Sequence, residues 1–239
     1  EPITGLLGKH PPEQAALEAI RLAREAEQAD GRATVGALHV TVQVAQAQQT
    51  PDKTYLERLT PAQLQPWVDA AQEHGLLLIL DSQIGWSDPL VETKSLEALL
   101  RLPFVHLALD PEFATASKHV APGRDIGTLE AAVINDVQAY LGNLVRSEGL
   151  PRKMLMLHQF RGDMIGHAEG LTDDPDIEIV IDMDGFGDPG SKLEAYRQFA
   201  LAPHAERPGI KLFFEWDEPI LTPLELSALD VPPDVVIYQ

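Results

Sequence analysis

The sequence predicts an α/β protein built as a (β/α)8 TIM-barrel-like fold in a single domain over residues 1–239, with the first strand missing or reduced at the N-terminus. Three observations predict it. Seven runs of strand length, at 35–44, 76–80, 104–109, 153–160, 177–182, 210–216 and 235–238, are mostly continuously apolar, the mark of strands covered on both faces as in a parallel sheet. Helical patterns lie between several of them, so strand and helix alternate. Most runs close on acids, His, Gln or Tyr, which gathers polar groups at one end of the sheet, where such barrels keep their chemistry.

In chain order, Glu1-Pro2-Ile3-Thr4-Gly5 followed by a helix over 13–30 reads as the loop and helix after a strand, which places that first strand before Glu1 or as a remnant at Ile3. Leu17, Ile20 and Leu22 form the core stripe of this helix. The Gln-rich segment 43–49 is the loop after the first visible run. Thr60-Pro61, Asp88-Pro89 and Thr222-Pro223 each put an N-cap residue before a Pro at the first helical position. A long helix over 126–148 is stopped by Gly149 and Pro151. The polar connections 114–125 and 161–176 are loops at strand ends, where a cleft is built. An open doubly wound sheet is the competing architecture, but no Gly-rich phosphate loop follows any strand, and Gly185-Phe186-Gly187 is too short a match.

The charge of −19, from 37 acids against 18 Lys and Arg, argues against a nucleic-acid partner, because phosphate binding wants a basic face. The chain has no Cys, which removes disulfides, thiolate nucleophiles and thiolate metal sites. No apolar run approaches the roughly 20 residues of a membrane span. An opening on Glu1 reads either as a leader or anchor segment removed, which would place the protein outside the cell or on its surface, or as the boundary of the expressed piece.

The phrase Leu107-Ala108-Leu109-Asp110-Pro111-Glu112-Phe113 ends an apolar strand in two acids spaced i and i+2, so both point into one small volume. Carboxyls that close do not ionise independently, and one is expected to hold its proton near neutral pH. Glu112 is the candidate general acid, with Asp110 raising its pKa or orienting substrate; the bland alternative makes Asp110 a turn cap and Glu112 a solvated loop residue. Alternation along the other strands turns Asp81 and Gln83, His158, Asp182 and Asp184, Glu215 and Asp217, and Tyr238 inward near their ends, with Asp184 and Glu215 as candidate second catalytic carboxylates. His158-Gln159 suits sugar hydroxyls, and Trp86 lies in a strand-end loop; Trp216 is expected to face the other way and pack under helices. Leu38-His39-Val40-Thr41 lacks the His-x-His of many metal-dependent barrel hydrolases, although Asp182, Asp184 and Asp217 could form an oxygen-ligand site. No cofactor is expected.

Across most of the chain, the phrase 107–113, Ile126-Gly127, Asn135, His158-Gln159-Phe160, Asp184-Gly185-Phe186-Gly187 and Val235–Gln239 resemble a family of uncharacterised bacterial proteins predicted to be secreted or lipid-anchored. Locally, Asp110-x-Glu112 is similar to the Asp-x-Glu of family 18 chitinases and family 25 lysozyme-type muramidases. That resemblance implies Glu112 as acid and Asp110 as its partner; the family 18 pattern has further acids upstream, where this chain has Val105 and Leu107. The expected function is a glycoside hydrolase acting on a bacterial or environmental polysaccharide. The alternatives are a non-catalytic carbohydrate-binding protein on the same scaffold and a metal-dependent hydrolase.

Overall fold

The computed structural model describes residues 10–239. The expected strand remnant at Ile3 lies outside the described residues. Helix α1 (Pro12–Asp30) leads into β1 (Ala37–Ala45), β2 (Leu56–Arg58), α2 (Pro61–His74), β3 (Leu77–Ser82), α3 (Pro89–Ser95), α4 (Glu97–Leu100) and β4 (Val105–Leu109). Then come β5 (Leu129–Glu130), α5 (Ala131–Glu148), β6 (Lys153–Gln159), β7 (Ile165–Gly166), β8 (Ile177–Met183), α6 (Pro189–Phe199), β9 (Arg207–Leu212), α7 (Pro223–Ser227) and β10 (Val235–Tyr238).

All seven apolar runs form strands, yet the closed barrel is overturned. The main sheet is open and curled, in the order β10-β9-β8-β6-β4-β3-β1-β2. Every neighbouring pair is parallel except β1 with β2. Closure would need β10 to pair with β1, but the free side of β1 near its C-terminal end is taken by antiparallel β2, with Gln43 opposite Arg58 and Ala45 opposite Leu56. Among the described residues no ladder joins the two edges. The result is a half-barrel, β5 and β7 forming a separate two-stranded piece.

The helix starts follow the capping chemistry. Thr60 and Thr222 each accept from the N3 backbone N–H, while Gln63 and Glu225 reach back to the cap N–H; Asp88 accepts from Val91 N–H. The long helix begins at Ala131 rather than near 126, because Gly127 is held against the turn after β4. Its N–H donates to Glu112 O at 2.6 Å, and a Cβ there would lie 2.3 Å from Pro111 O, so no larger residue fits.

One face of the sheet packs on the helices through Leu107, Leu109, Leu155, Leu157, Ile179 and Ile181. The concave face carries a smaller layer of Ile79, Ala108, Met156, Val180 and Ile237. Those five fix which side chains of each strand face inward, and they floor the cavity above them.

Lys153, 1% exposed at the start of β6, donates to Leu102 O at 3.0 Å and Val105 O at 2.8 Å. Burial lowers its pKa from 10.5 to about 8. Between those values the unfolded chain binds more protons than the folded one, so this lysine's contribution to stability rises with pH from about 8 to 10.5, by at most roughly 3 kcal/mol. Urea unfolding of wild type and Lys153→Met at pH 7.5 and 10 is expected to show wild type gaining on the variant as pH rises; a constant difference would refute the assignment.

Candidate active site

Acids and bases from six strands meet above the concave layer. Asp81 ends β3, Asp110 and Glu112 follow β4, His158 ends β6, Asp182 and Asp184 close β8, Lys211 comes from β9 and His39 from β1. Register explains the meeting: His158 is opposite Asp182, Thr41 opposite Asp81, and Lys211 opposite the inward Ile237.

At its centre His158 Nδ1 lies 2.8 Å from Asp182 Oδ2 and 3.7 Å from Asp184 Oδ2, with Asp81 Oδ1 3.6 Å from Nε2 on the other side. Thr41 Oγ1 donates to Asp81 Oδ2 at 3.0 Å. Lys211 Nζ donates to Asp184 Oδ2 at 3.1 Å and sits 4.0 Å from Asp182 Oδ2. Burial alone would discharge His158, but Asp182 and Asp81 raise it to about 10. Burial likewise opposes the anion of Asp81, and its ion-pair partner His158 still brings it down to about 2. Burial pushes His39 down to about 3, so that ring is neutral.

Glu112 and Asp110 differ from these paired groups. Burial, reinforced by Asp184, raises the Glu112 carboxyl above its ordinary value. Asp110 is pushed well above its ordinary value, first by burial and then by Asp184, Asp81 and Glu112, against the opposing charge of His158. Its Oδ1 also accepts the Glu112 N–H at 2.9 Å, capping the short 3-10 turn Pro111–Phe113. Asp110 is therefore both the turn cap of the bland alternative and a buried carboxyl beside the acid.

His39, Thr41, Asp81, Asp110, Glu112, Asp184 and Lys211 line a cavity of about 1410 Å³ that opens at the C-terminal ends of the strands and runs down between β1 and β10 to α1. At its mouth Phe186, 68% exposed, and Trp216, 55% exposed, form an aromatic platform with Phe213, the Phe213–Trp216 rings stacked at 5.4 Å. The expectation that Trp216 packs under helices fails because β9 ends at Leu212. Asp217 N–H donates to Phe213 O at 3.0 Å and Asp217 Oδ2 accepts Phe213 N–H at 2.8 Å, which curls 213–217 into a turn.

The same turn leaves Glu215 exposed beyond the strand, away from the inward strand position expected for it. Asp217 is buried, but both its oxygens are committed: Oδ1 to Gly187 N–H, Oδ2 to Phe213 N–H and to Lys192 at 2.8 Å. It joins no candidate metal cluster with Asp182 and Asp184 among the described residues. Tyr238 is one residue out of phase: Ile237 faces inward, and Tyr238 stacks on Phe214 at 5.7 Å. Trp86 holds the loop after Glu112 instead of the cleft, its Nε1 donating to Thr115 Oγ1 and Val120 O. Gln83 lines the cavity and accepts Ala45 N–H; Gln159 is buried and donates to Arg161 O. Sequence reasoning missed Lys211, Thr41 and the platform. The apolar neighbours Ile210 and Leu212, which by alternation turn Lys211 inward, were the available signal for the lysine.

No family model matches the sequence, and no curated protein is significantly similar to it. Among solved structures, the chain is similar to a hyperthermophilic endo-β-1,4-glucanase in complex with substrate, with 7% identity and a TM-score of 0.32, over 64% of this chain and 48% of that one. The chain thus spans about half the length of the structure it matches.

Proposed function

We propose that this chain is a glycoside hydrolase that cleaves a polysaccharide by carboxylic-acid catalysis. The observation that carries the reading is that a carboxyl shifted toward its protonated form, Glu112, shares one cavity with an aromatic platform of exposed Phe186 and Trp216 backed by buried Phe213. Sugar rings stack on such faces through their C–H surfaces, and the acid is needed at the glycosidic oxygen. Glu112 protonates the leaving oxygen. Asp184, bound to Lys211 at 3.1 Å, is the carboxylate that stabilises the oxocarbenium-like transition state while water adds to the anomeric carbon, or that attacks this carbon to give a glycosyl ester which water then hydrolyses, and Asp110, whose protonated form burial favours, donates to a substrate oxygen.

Reducing-end release from peptidoglycan, chitin oligosaccharides and neutral glycans is the test. Release from at least one class supports the reading; binding of glycans with no release from any would leave a carbohydrate-binding protein and end the proposal. The anomer first formed, read by NMR, distinguishes retention from inversion. For the substrate that is cleaved, Trp216→Ala is expected to raise KM by about tenfold with kcat changed less, since a lost stacking face is worth roughly 1.5 kcal/mol. An unchanged KM would take the platform out of the substrate site.

A further inference from the structure

We propose that His39, Asp81 and His158 hold a first-row divalent cation, Zn²⁺ or a close neighbour, at the floor of the cavity. One ligand atom from each residue lies within 4.8 Å of the other two. Each of the three residues carries a buried atom without a hydrogen-bond partner, His39 Nε2, Asp81 Oδ1 and His158 Nε2, and the last two face one another. Buried polar atoms are normally satisfied, so three orphans converging from three strands point to a group that satisfies them together. The Asp81 Oδ1 to His158 Nε2 separation of 3.6 Å is too long for a hydrogen bond. It is close to the roughly 3.4 Å between two ligands of a tetrahedral ion with arms of about 2.1 Å.

Ligation needs the neutral imidazole, so the ion takes the place of the proton on His158 Nε2; the surroundings are otherwise built for it. Asp182 Oδ2 accepts from His158 Nδ1–H at 2.8 Å, which leaves Nε2 as the ligating nitrogen, and Thr41 Oγ1 donates to the second oxygen of Asp81 at 3.0 Å. These are the outer contacts that metal-binding histidines and carboxylates use. His39 packs edge-on against His158, the ring centroids 5.2 Å apart at 86°, which puts the two imidazoles side by side. The other cluster of possible ligands, His158 with Asp182 and Asp184, is a poorer place: Nδ1 is already engaged and the Lys211 ammonium occupies it, 3.1 Å from Asp184. Two imidazoles and one carboxylate suit Zn²⁺, Co²⁺, Mn²⁺ or Fe²⁺, whereas Ca²⁺ and Mg²⁺ prefer all-oxygen shells. Three protein ligands leave a coordination position for water on the side of His39 and Asp81 that lines the cavity. Nothing in this assignment depends on glycoside cleavage.

The test uses the whole chain, stripped with EDTA and dialysed, then titrated by calorimetry with ZnCl₂ and CoCl₂, with bound metal counted by mass spectrometry and the Co²⁺ form read by visible absorption. The expected result is one equivalent per chain with tetrahedral-type Co²⁺ bands, an affinity lowered roughly 100-fold or more in a folded His39→Ala variant, and lowered about 10- to 100-fold in Thr41→Val, which removes only an outer contact. Asp184→Asn is expected to stay within about threefold of wild type. Failure of the wild-type chain to retain one equivalent, retention unaffected by His39→Ala and Thr41→Val, or loss in Asp184→Asn alone would each overturn the site.

Discussion

Glu112→Gln is expected to lower kcat on an unactivated polysaccharide by about 10²- to 10⁴-fold, the usual contribution of a positioned general acid, with KM within a few-fold of wild type. At about 1.36 kcal/mol per decade this is roughly 3 to 5 kcal/mol of transition-state stabilisation. Gln keeps the size of the side chain and its hydrogen bonding but carries no transferable proton, so the loss falls on the bond-breaking step. An aryl glycoside whose leaving group needs no proton is the control: there the variant is expected to stay close to wild type. The pH profile follows from the same residue. Burial and Asp184 raise the pKa of Glu112, and the acid must be protonated to act, so kcat/KM is expected to fall as pH rises through that value, on a limb displaced upward from the ordinary carboxylate range. That limb disappears in the variant. A Glu112→Gln enzyme within tenfold of wild type on the polysaccharide would exclude Glu112 as the acid.

How much of this was legible in the sequence depends on which residues are asked about. Continuous apolar runs gave all seven parallel strands, and Pro after Thr or Asp gave three helix starts, because both signals are local. Inward parity was right for Asp81, Asp110, His158 and Asp182, where an uninterrupted strand reaches the site. It failed where the strand ended early or the phase was set by a neighbour: Asp217 curls 213–217 into a turn, displacing Glu215 and freeing Trp216, and β10 is phased by Lys211 opposite Ile237. Closure was not legible at all, since the competition of β2 with β10 for the edge of β1 is a long-range pairing with no sequence mark. His39 carried no recognisable motif because its partners, Asp81 and His158, come from other strands.

The two loops that build the aromatic platform are joined by one buried ion pair, which makes Lys192→Met the substitution with the largest expected effect on the fold. Lys192 on α6 and Asp217 after β9 lie 2.8 Å apart with side chains only 1% exposed, and Lys192 also donates to Gly185 O at 2.6 Å while Asp217 accepts from Gly187 N–H at 2.9 Å. The pair therefore fastens the β8–α6 loop that carries Phe186 to the turn that carries Phe213 and Trp216. Burial lowers the Lys192 pKa against the pull of Asp217, so desolvation already consumes much of the attraction. Removing one partner is a different matter, because it leaves a buried carboxylate without its counter-charge: Lys192→Met is expected to destabilise by about 3 to 5 kcal/mol, a fall in Tm of roughly 6 to 20 °C for a chain of this length. The double variant Lys192→Met, Asp217→Leu removes both charges and is expected to regain part of that loss in urea unfolding, though two backbone N–H groups, of Gly187 and Phe213, then lose their acceptor. If the single variant unfolds within about 1 kcal/mol of wild type, the pair is not the fastening between the two loops. If it is, KM should rise together with the loss of stability while the pH limb assigned to Glu112 stays in place, since the platform moves and the acid does not.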